Sequence, residues 1–213
     1  MSDAVRLHGF FRSSASWRVR IALHMKGVAY EQITYRLRAG EQRSPAYLTV
    51  NPQGLVPALE IDGLLLTQSL AIIEYLDQTR PGSPLLPSGA AERARVRALA
   101  LAIACDTHPV QNLKVLLAVQ ALGHDEAASN AWAHRVCEEG LAAYAAMVEN
   151  SGGAFSAGDQ PSLADLALVP QIANARRFGV DIRWPRLVAI ERACMALPAF
   201  SETAPQHQPD FIA

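Results

Sequence analysis

"VRLHGFFRSSASWRVRIALHMKGVAYEQITYR", Val5 to Arg36, changes its periodicity twice, and that double change decides the fold. Val5 to Phe10 alternates in the manner of a strand, whose successive side chains point to opposite faces. From Ser14 to Lys26 the apolar residues Trp17, Val19, Ile21, Ala22 and Leu23 fall at helical spacings, and Gly27 ends the run. Tyr30 to Arg36 alternates again. A strand, a helix and a strand in succession predict a parallel βαβ unit with a right-handed crossover.

Further along, "PALEIDGLLLTQ" (Pro57 to Gln68) reads as two strands around Asp62-Gly63, a dipeptide that supplies the positive φ angles of a tight hairpin. Ser69 to Gln78 follows as a helix, so the first part of the chain is β-α-β followed by β-β-α. "RPGSPLLPSG", Arg80 to Gly89, denies either period with its three prolines and two glycines, while Leu85 and Leu86 are expected to pack between the halves. After it the pattern is helical: Ala91–Ala121, Asp125–Asn150, Ser162–Arg177 and Pro185–Leu197. The expectation is an α/β domain over 1–82, a linker over 83–89 and an all-α domain over 90–213. Ser162 and Asp165 have the spacing of a capping box, a structural role. Pro109, inside the first long helical run, predicts a kink near His108.

Composition narrows the function. The 213 residues are half apolar and 18% charged, enough for a large core and too polar for a membrane protein. With 19 basic and 20 acidic residues the net charge is -1, so no broad field draws in nucleic acid or an anionic membrane, and basic clusters act locally. Met1 to Leu7 lacks the apolar stretch of a secretion signal, and no run approaches a membrane span. Cys105, Cys137 and Cys194 are odd in number and widely spaced, with no CxxC and no histidine at metal-ligand spacing. Buried free thiols, no metal and a reducing cytoplasm are expected.

Three stretches carry chemistry. Ser13, Ser14 and Ser16 crowd the start of one helix, flanked by Arg12 and Arg18. One hydroxyl is accounted for by capping, and the others, with the helix's free N–H groups, suit an anion; capping beside solvated arginines is the alternative. In "NPQGLVPALE", Pro57 stands directly before an apparent strand, where proline needs an edge, a bend or a first position, and the default Val56-Pro57 bond is trans. In "TQSLAIIEYL", Gln68 and Ser69 stand where a strand gives way to a helix, an arrangement that suits a carboxylate or a plain cap. Both helices follow strands, so both entrances fit on one side of the sheet.

"RSSASWRVRIAL", "NPQGLVPALE", "QSLAIIEYL", "CDTHPVQNLKVL" and "VPQIANARRFGVD", in that order and over most of the chain, closely resemble the zeta class of glutathione transferases, which includes maleylacetoacetate and maleylpyruvate isomerases. The resemblance implies the glutathione transferase fold: a thioredoxin-like α/β domain binding glutathione, an all-helical domain helping to bind a second substrate, and a homodimer. It makes Val56-Pro57 a cis-proline site whose Val56 backbone pairs with the cysteinyl part of glutathione. It assigns Gln68 and Ser69 to the γ-glutamyl end, and Ser13, with Ser14 beside it, to the glutathione sulfur. His108, Asn112 and Lys114 match positions that close over the site, and Arg177 matches the arginine of the "ARRF"-like segment, with Arg176 as the alternative.

One position departs from the class: its usual "SSCSW" has cysteine where this chain has Ala15, so glutathione supplies the only sulfur nucleophile there. The implied reaction is cis-trans isomerisation of a small dicarboxylic diketo acid. It needs Ser13 and the helix start to favour a thiolate, and cations for substrate carboxylates, from Arg12, Arg177, Arg176, Lys114 or His108. Two other functions remain open: a broader transferase, peroxidase or dehalogenase, and a non-catalytic binding module.

Overall fold

The computed structural model describes residues 4–212; the first three residues of the stretch read for a leader, and the limits Met1 and Ala213, lie outside them. The chain divides into two compact units, one running through Pro84 and joined by the segment from Leu197 onward, the other spanning Leu85–Ala196.

The first unit begins with β1 (Arg6–Gly9), α1 (Ser14–Met25) and β2 (Glu31–Thr34), and β1 pairs with β2 in parallel as the periodicity predicts. A short helix that the sequence did not announce, α2 (Pro45–Val50), follows; Ser44 caps it by accepting from the Tyr47 N–H, with Pro45 in its first turn. The hairpin β3 (Ala58–Ile61) and β4 (Leu64–Thr67) turns through Asp62 and Gly63, both at positive φ, and feeds α3 (Ser69–Thr79). The sheet order is β2-β1-β3-β4. Since β3 runs antiparallel to both β1 and β4, β1 and β4 share a direction, and the helices they feed start at the same edge.

α1 is buried along its whole length from Ser14 to Leu23. A helix enclosed on every side has no room for solvated arginines, and Arg18 and Arg20 are indeed 1% and 0% exposed. For Arg18 this rules out the alternative of a solvated arginine beside a plain cap. The last segment explains the enclosure: α9 (Pro198–Ser201) packs on α1, and Trp17 Nε1 donates to Thr203 Oγ1 at 3.1 Å. The expectation of one helical domain over 90–213 is therefore corrected, because the chain from Leu197 returns to the α/β unit, where it covers apolar surface on α1. At the far end of α1, Lys26 Nζ meets Asp77 Oδ1 at 2.8 Å and donates to the Ser83 carbonyl at 2.9 Å.

The second unit contains α4 (Ala90–Leu101), α5 (Leu113–Ala121), α6 (Glu126–Val148), α7 (Leu163–Arg177) and α8 (Pro185–Met195). Leu85 and Leu86 are buried in this unit, where the Leu85 carbonyl accepts from Leu163 N–H at 2.9 Å, so the division falls at Pro84–Leu85, inside the expected linker. The run read as one helix over Ala91–Ala121 is broken rather than kinked. After α4 the backbone widens into a π-type turn over Ala102–Thr107, tightens over Pro109–Gln111, and restarts as α5 under an Asn112 cap. The cysteine expectation is corrected at one position: all three thiols are free, but Cys105 is exposed while Cys137 and Cys194 are buried.

α7 is almost wholly buried, and its start is held by Asp165, which accepts from Ser162 N–H at 2.8 Å, Ser162 Oγ at 2.9 Å and Ser156 N–H at 2.8 Å. Burial pushes this carboxyl upward against the pull of those donors. Removing it would strand three buried donors. Asp165→Ala should therefore cost about 3 kcal/mol and Asp165→Asn, which keeps an acceptor, clearly less, as read from urea unfolding midpoints at constant slope.

Candidate functional site

The shared edge carries two helix starts. Ser13 is the N-cap of α1: its Oγ accepts from Ser16 N–H at 3.2 Å. A cap of this kind uses one lone pair, so the Ser13 O–H is still a donor, and capping and ligand binding are not alternatives. Ser14, the first helical residue, is 6% exposed. The start of α3 differs, for Gln68 occupies its N-cap with no side-chain hydrogen bond to the helix, which leaves the first-turn N–H groups without a side-chain cap. Gln68 holds φ +68°, an unfavourable region for a side chain with a Cβ, and its Nε2 donates to Gln53 Oε1 at 2.8 Å.

Arg18 joins the two starts. Arg18 lies in the second turn of α1, and its Nη1 donates to Ser69 Oγ at the start of α3 at 3.4 Å. A buried cation thus lies where two helix dipoles already present positive ends. The sequence showed Arg18 close to the motif but gave no sign of its burial.

Val56-Pro57 is cis, in place of the default trans bond. Its approach is fixed by Tyr47 Oη and Asn51 Nδ2, which both donate to the Leu55 carbonyl, at 2.6 and 2.7 Å. Asn51 Oδ1 also accepts from Gln53 N–H at 3.1 Å, closing the "NPQG" turn. Gln53, Asn51 and Tyr47 were not singled out in the sequence, although Asn51 and Gln53 belong to the quoted motif. Arg12 is half-buried, its guanidinium 5.8 and 5.4 Å from the Phe10 and Phe11 ring centres. Partial burial and the nearby Arg38 lower its pKa, and two neighbouring cations favour an incoming anion.

In the helical unit the broken helix and α7 meet. Arg177 Nη1 donates to Asn174 Oδ1 at 2.8 Å, and Asn174 Nδ2 donates to Gln111 Oε1 at 2.9 Å, so buried Gln111 orients the partner of Arg177. Arg176 is corrected as a substrate cation: its fork is closed on the Glu191 carboxylate, with Nη2 at 2.6 Å from Oε2 and Nη1 on Oε1. That pairing raises the Arg176 pKa further. Asn112 caps α5, its Oδ1 accepting from Val115 N–H at 3.4 Å. His108 is half-buried, its N–H bonded to the Ile103 carbonyl at 2.8 Å, and Lys114 is exposed. Among the described residues no cluster of acidic, histidine or cysteine side chains has the form of a metal site.

Residues 3–78 match the model of the glutathione S-transferase N-terminal domain. A maleylacetoacetate isomerase of Rhizobium meliloti (strain 1021) is 51% identical over 208 residues, 96% of this chain and 98% of that protein. The chain belongs to the zeta-class glutathione transferases. A maleylpyruvate isomerase described as a bacterial glutathione transferase of the zeta class superposes with a TM-score of 0.94 at 44% identity, over 97% of this chain and all of that one. A maleylacetoacetate isomerase of Methylobacterium extorquens AM1, solved with malonate and glutathione bound, also superposes with a TM-score of 0.94, at 40% identity over 98% of this chain and all of that one. The thioredoxin-like unit with its four-stranded mixed sheet and the helical unit are those of the class.

The backbone at Gln68 makes a measurable claim of its own. Glycine tolerates φ +68° and alanine does not, so Gln68→Gly should be more stable than Gln68→Ala by about 1 kcal/mol in thermal or urea unfolding.

Proposed function

We propose that this protein catalyses the glutathione-dependent cis-trans isomerisation of maleylacetoacetate or maleylpyruvate to the fumaryl isomer, in the breakdown of aromatic compounds such as tyrosine, as a cytoplasmic homodimer. The observation that carries this reading is the Arg18 to Ser69 bond, which ties together two helix starts rich in donors at one edge of the sheet. The donor set fits the tripeptide: its γ-glutamyl carboxylate suits the uncapped start of α3 with Ser69 and Gln68, and its sulfur suits the start of α1 with Ser13 and Ser14. Val56 would pair with its cysteinyl backbone. One relative, the maleylacetoacetate isomerase of Methylobacterium extorquens AM1, was solved with glutathione together with malonate, a dicarboxylate.

When bound, glutathione supplies a thiolate whose reversible addition turns the rigid cis double bond of the substrate into a rotatable single bond. A thiol of ordinary pKa, about 8.5, is only a few per cent ionised at neutral pH, so the chain's task is to favour the anion. Ser13 does so by donating its O–H, and α1 by its dipole and first-turn N–H groups. Ala15, buried one residue into α1, offers no second thiol, so no protein sulfur competes. Charge that develops on a substrate carbonyl, and the substrate's own carboxylates, call for arginine. Arg12, beside Arg38, and Arg177, oriented by Asn174, are the cations we assign to them, with Lys114 and His108 in support; Arg176 is committed to Glu191.

Purified protein mixed with maleylpyruvate or maleylacetoacetate should lose the cis isomer's absorbance only when glutathione is present. No acceleration of either substrate overturns the reading, and faster turnover of a chlorinated acid or of 1-chloro-2,4-dinitrobenzene favours the broader transferase. Ser13→Ala should lower kcat at saturating glutathione about a hundredfold, with a stability loss of only about 1 kcal/mol from the missing cap. Arg177→Ala should instead raise KM for the diacid about tenfold or more and leave KM for glutathione unchanged, as separate saturation curves would show.

A further inference from the structure

The turn that delivers Ser13 is held from two sides. Ser13 N–H donates to the Phe10 carbonyl at 3.0 Å, closing a turn over Phe10–Ser13. Its inward side is taken by Arg20, whose Nη2 donates to the Phe11 carbonyl at 2.8 Å and whose Nη1 donates to the Phe10 carbonyl at 3.3 Å. The same guanidinium donates through Nε to the Thr203 carbonyl at 3.1 Å. In the middle of the turn the Phe11 N–H donates at 2.9 Å to Asp210 Oδ2, on the far side of the chain in sequence. Asp210 Oδ1 accepts from Gln32 Nε2 on β2 at 3.1 Å, and the Phe211 ring stands edge-on to Phe11 at 5.5 Å. The C-terminal segment is itself braced, since Gln208 Nε2 donates to the Thr203 and Ala204 carbonyls at 3.0 and 3.2 Å.

We propose that Asp210 is a positioning residue for the isomerisation: the C-terminal segment is a clasp that fixes the Phe10–Ser13 turn, and with it the Ser13 hydroxyl and the α1 start that face the glutathione sulfur. The inference rests on the role given to Ser13 above. The physical argument is one of geometry. A hydroxyl that stabilises a developing or resting anion must be held to within a fraction of an ångström, and a displacement of about 1 Å costs up to about a hundredfold in rate. The turn has no secondary structure of its own to hold it. Its rigidity comes from Arg20, buried and fixed, and from Asp210, which is half-exposed and borrowed from residues almost two hundred positions away. Nothing in the γ-glutamyl contacts at Gln68 and Ser69 depends on Asp210, so the clasp acts on the sulfur end alone.

The test is a set of four proteins: wild type, Asp210→Ala, Ser13→Ala and the double variant, with Asp210→Asn as the conservative rescue. Asp210→Ala should lower kcat at saturating glutathione about tenfold while KM for glutathione stays within about twofold. Asp210→Asn, which keeps an oxygen for the Phe11 N–H, should restore at least about half of kcat. In the Ser13→Ala background, Asp210→Ala should cost less than about twofold, because the group it positions is gone. Two readouts do not depend on turnover: the ultraviolet thiolate band of bound glutathione at neutral pH should weaken in Asp210→Ala, and the Phe11 amide should exchange about tenfold faster, with the interior of α1 unchanged. Unchanged kcat, an equal loss in both backgrounds, or an unaltered thiolate band overturns the clasp. If wild type isomerises neither substrate, the functional reading fails separately, and the thiolate band and amide exchange still decide the role of Asp210.

Discussion

An α-helix opens with backbone N–H groups that nothing inside the helix can satisfy, and the site of this protein depends on two such openings being brought together. The sheet does this by strand direction. β1 and β4 point the same way with β3 reversed between them, so α1 and α3 begin at one edge. Two positive helix ends placed together repel one another and any buried cation added to them, yet Arg18 is buried there and reaches Ser69. In the function proposed above, the carboxylate and the thiolate of glutathione bring negative charge to this edge.

The buried arginines of α1 divide the work. Arg18 spans the two helices, whereas Arg20 spends its donors on three backbone carbonyls, those of Phe10, Phe11 and Thr203. Burial lowers the Arg20 pKa to about 10, partly offset by Tyr30 and Asp210, so it remains a cation at neutral pH. A guanidinium is suited to this because its donors are planar and fixed in a fork that a lysine's compact ammonium lacks. The loop that carries the Ser13 hydroxyl is thereby tied to the middle of the helix it introduces.

The helical unit builds its arginine differently. Pro109 cannot continue a helix, and the chain responds with a widened turn, a tight turn and a fresh start capped by Asn112. That detour brings Gln111 to Asn174, and Asn174 to Arg177. Neighbouring arginines at consecutive helical positions point about a hundred degrees apart, so they meet different partners. Glu191 holds Arg176, and Asn174 holds Arg177.

Local chemistry was legible in the residues themselves. The two changes of period, the Asp62-Gly63 turn, the hydroxyl cap at the start of α1 and the Ser162–Asp165 box all act within a few residues of one another, where backbone geometry and side-chain reach suffice. The order of the motifs was enough to suggest the class. Contacts made across long stretches of chain were not legible. Burial of Arg18 and Arg20, the different partners of Arg176 and Arg177, the return of the chain after Leu197 and the hold of Asp210 on Phe11 are settled by what packs against each residue. A charged side chain carries no mark of its burial, since the free energy of burying it is set by partners that only the folded chain brings within reach.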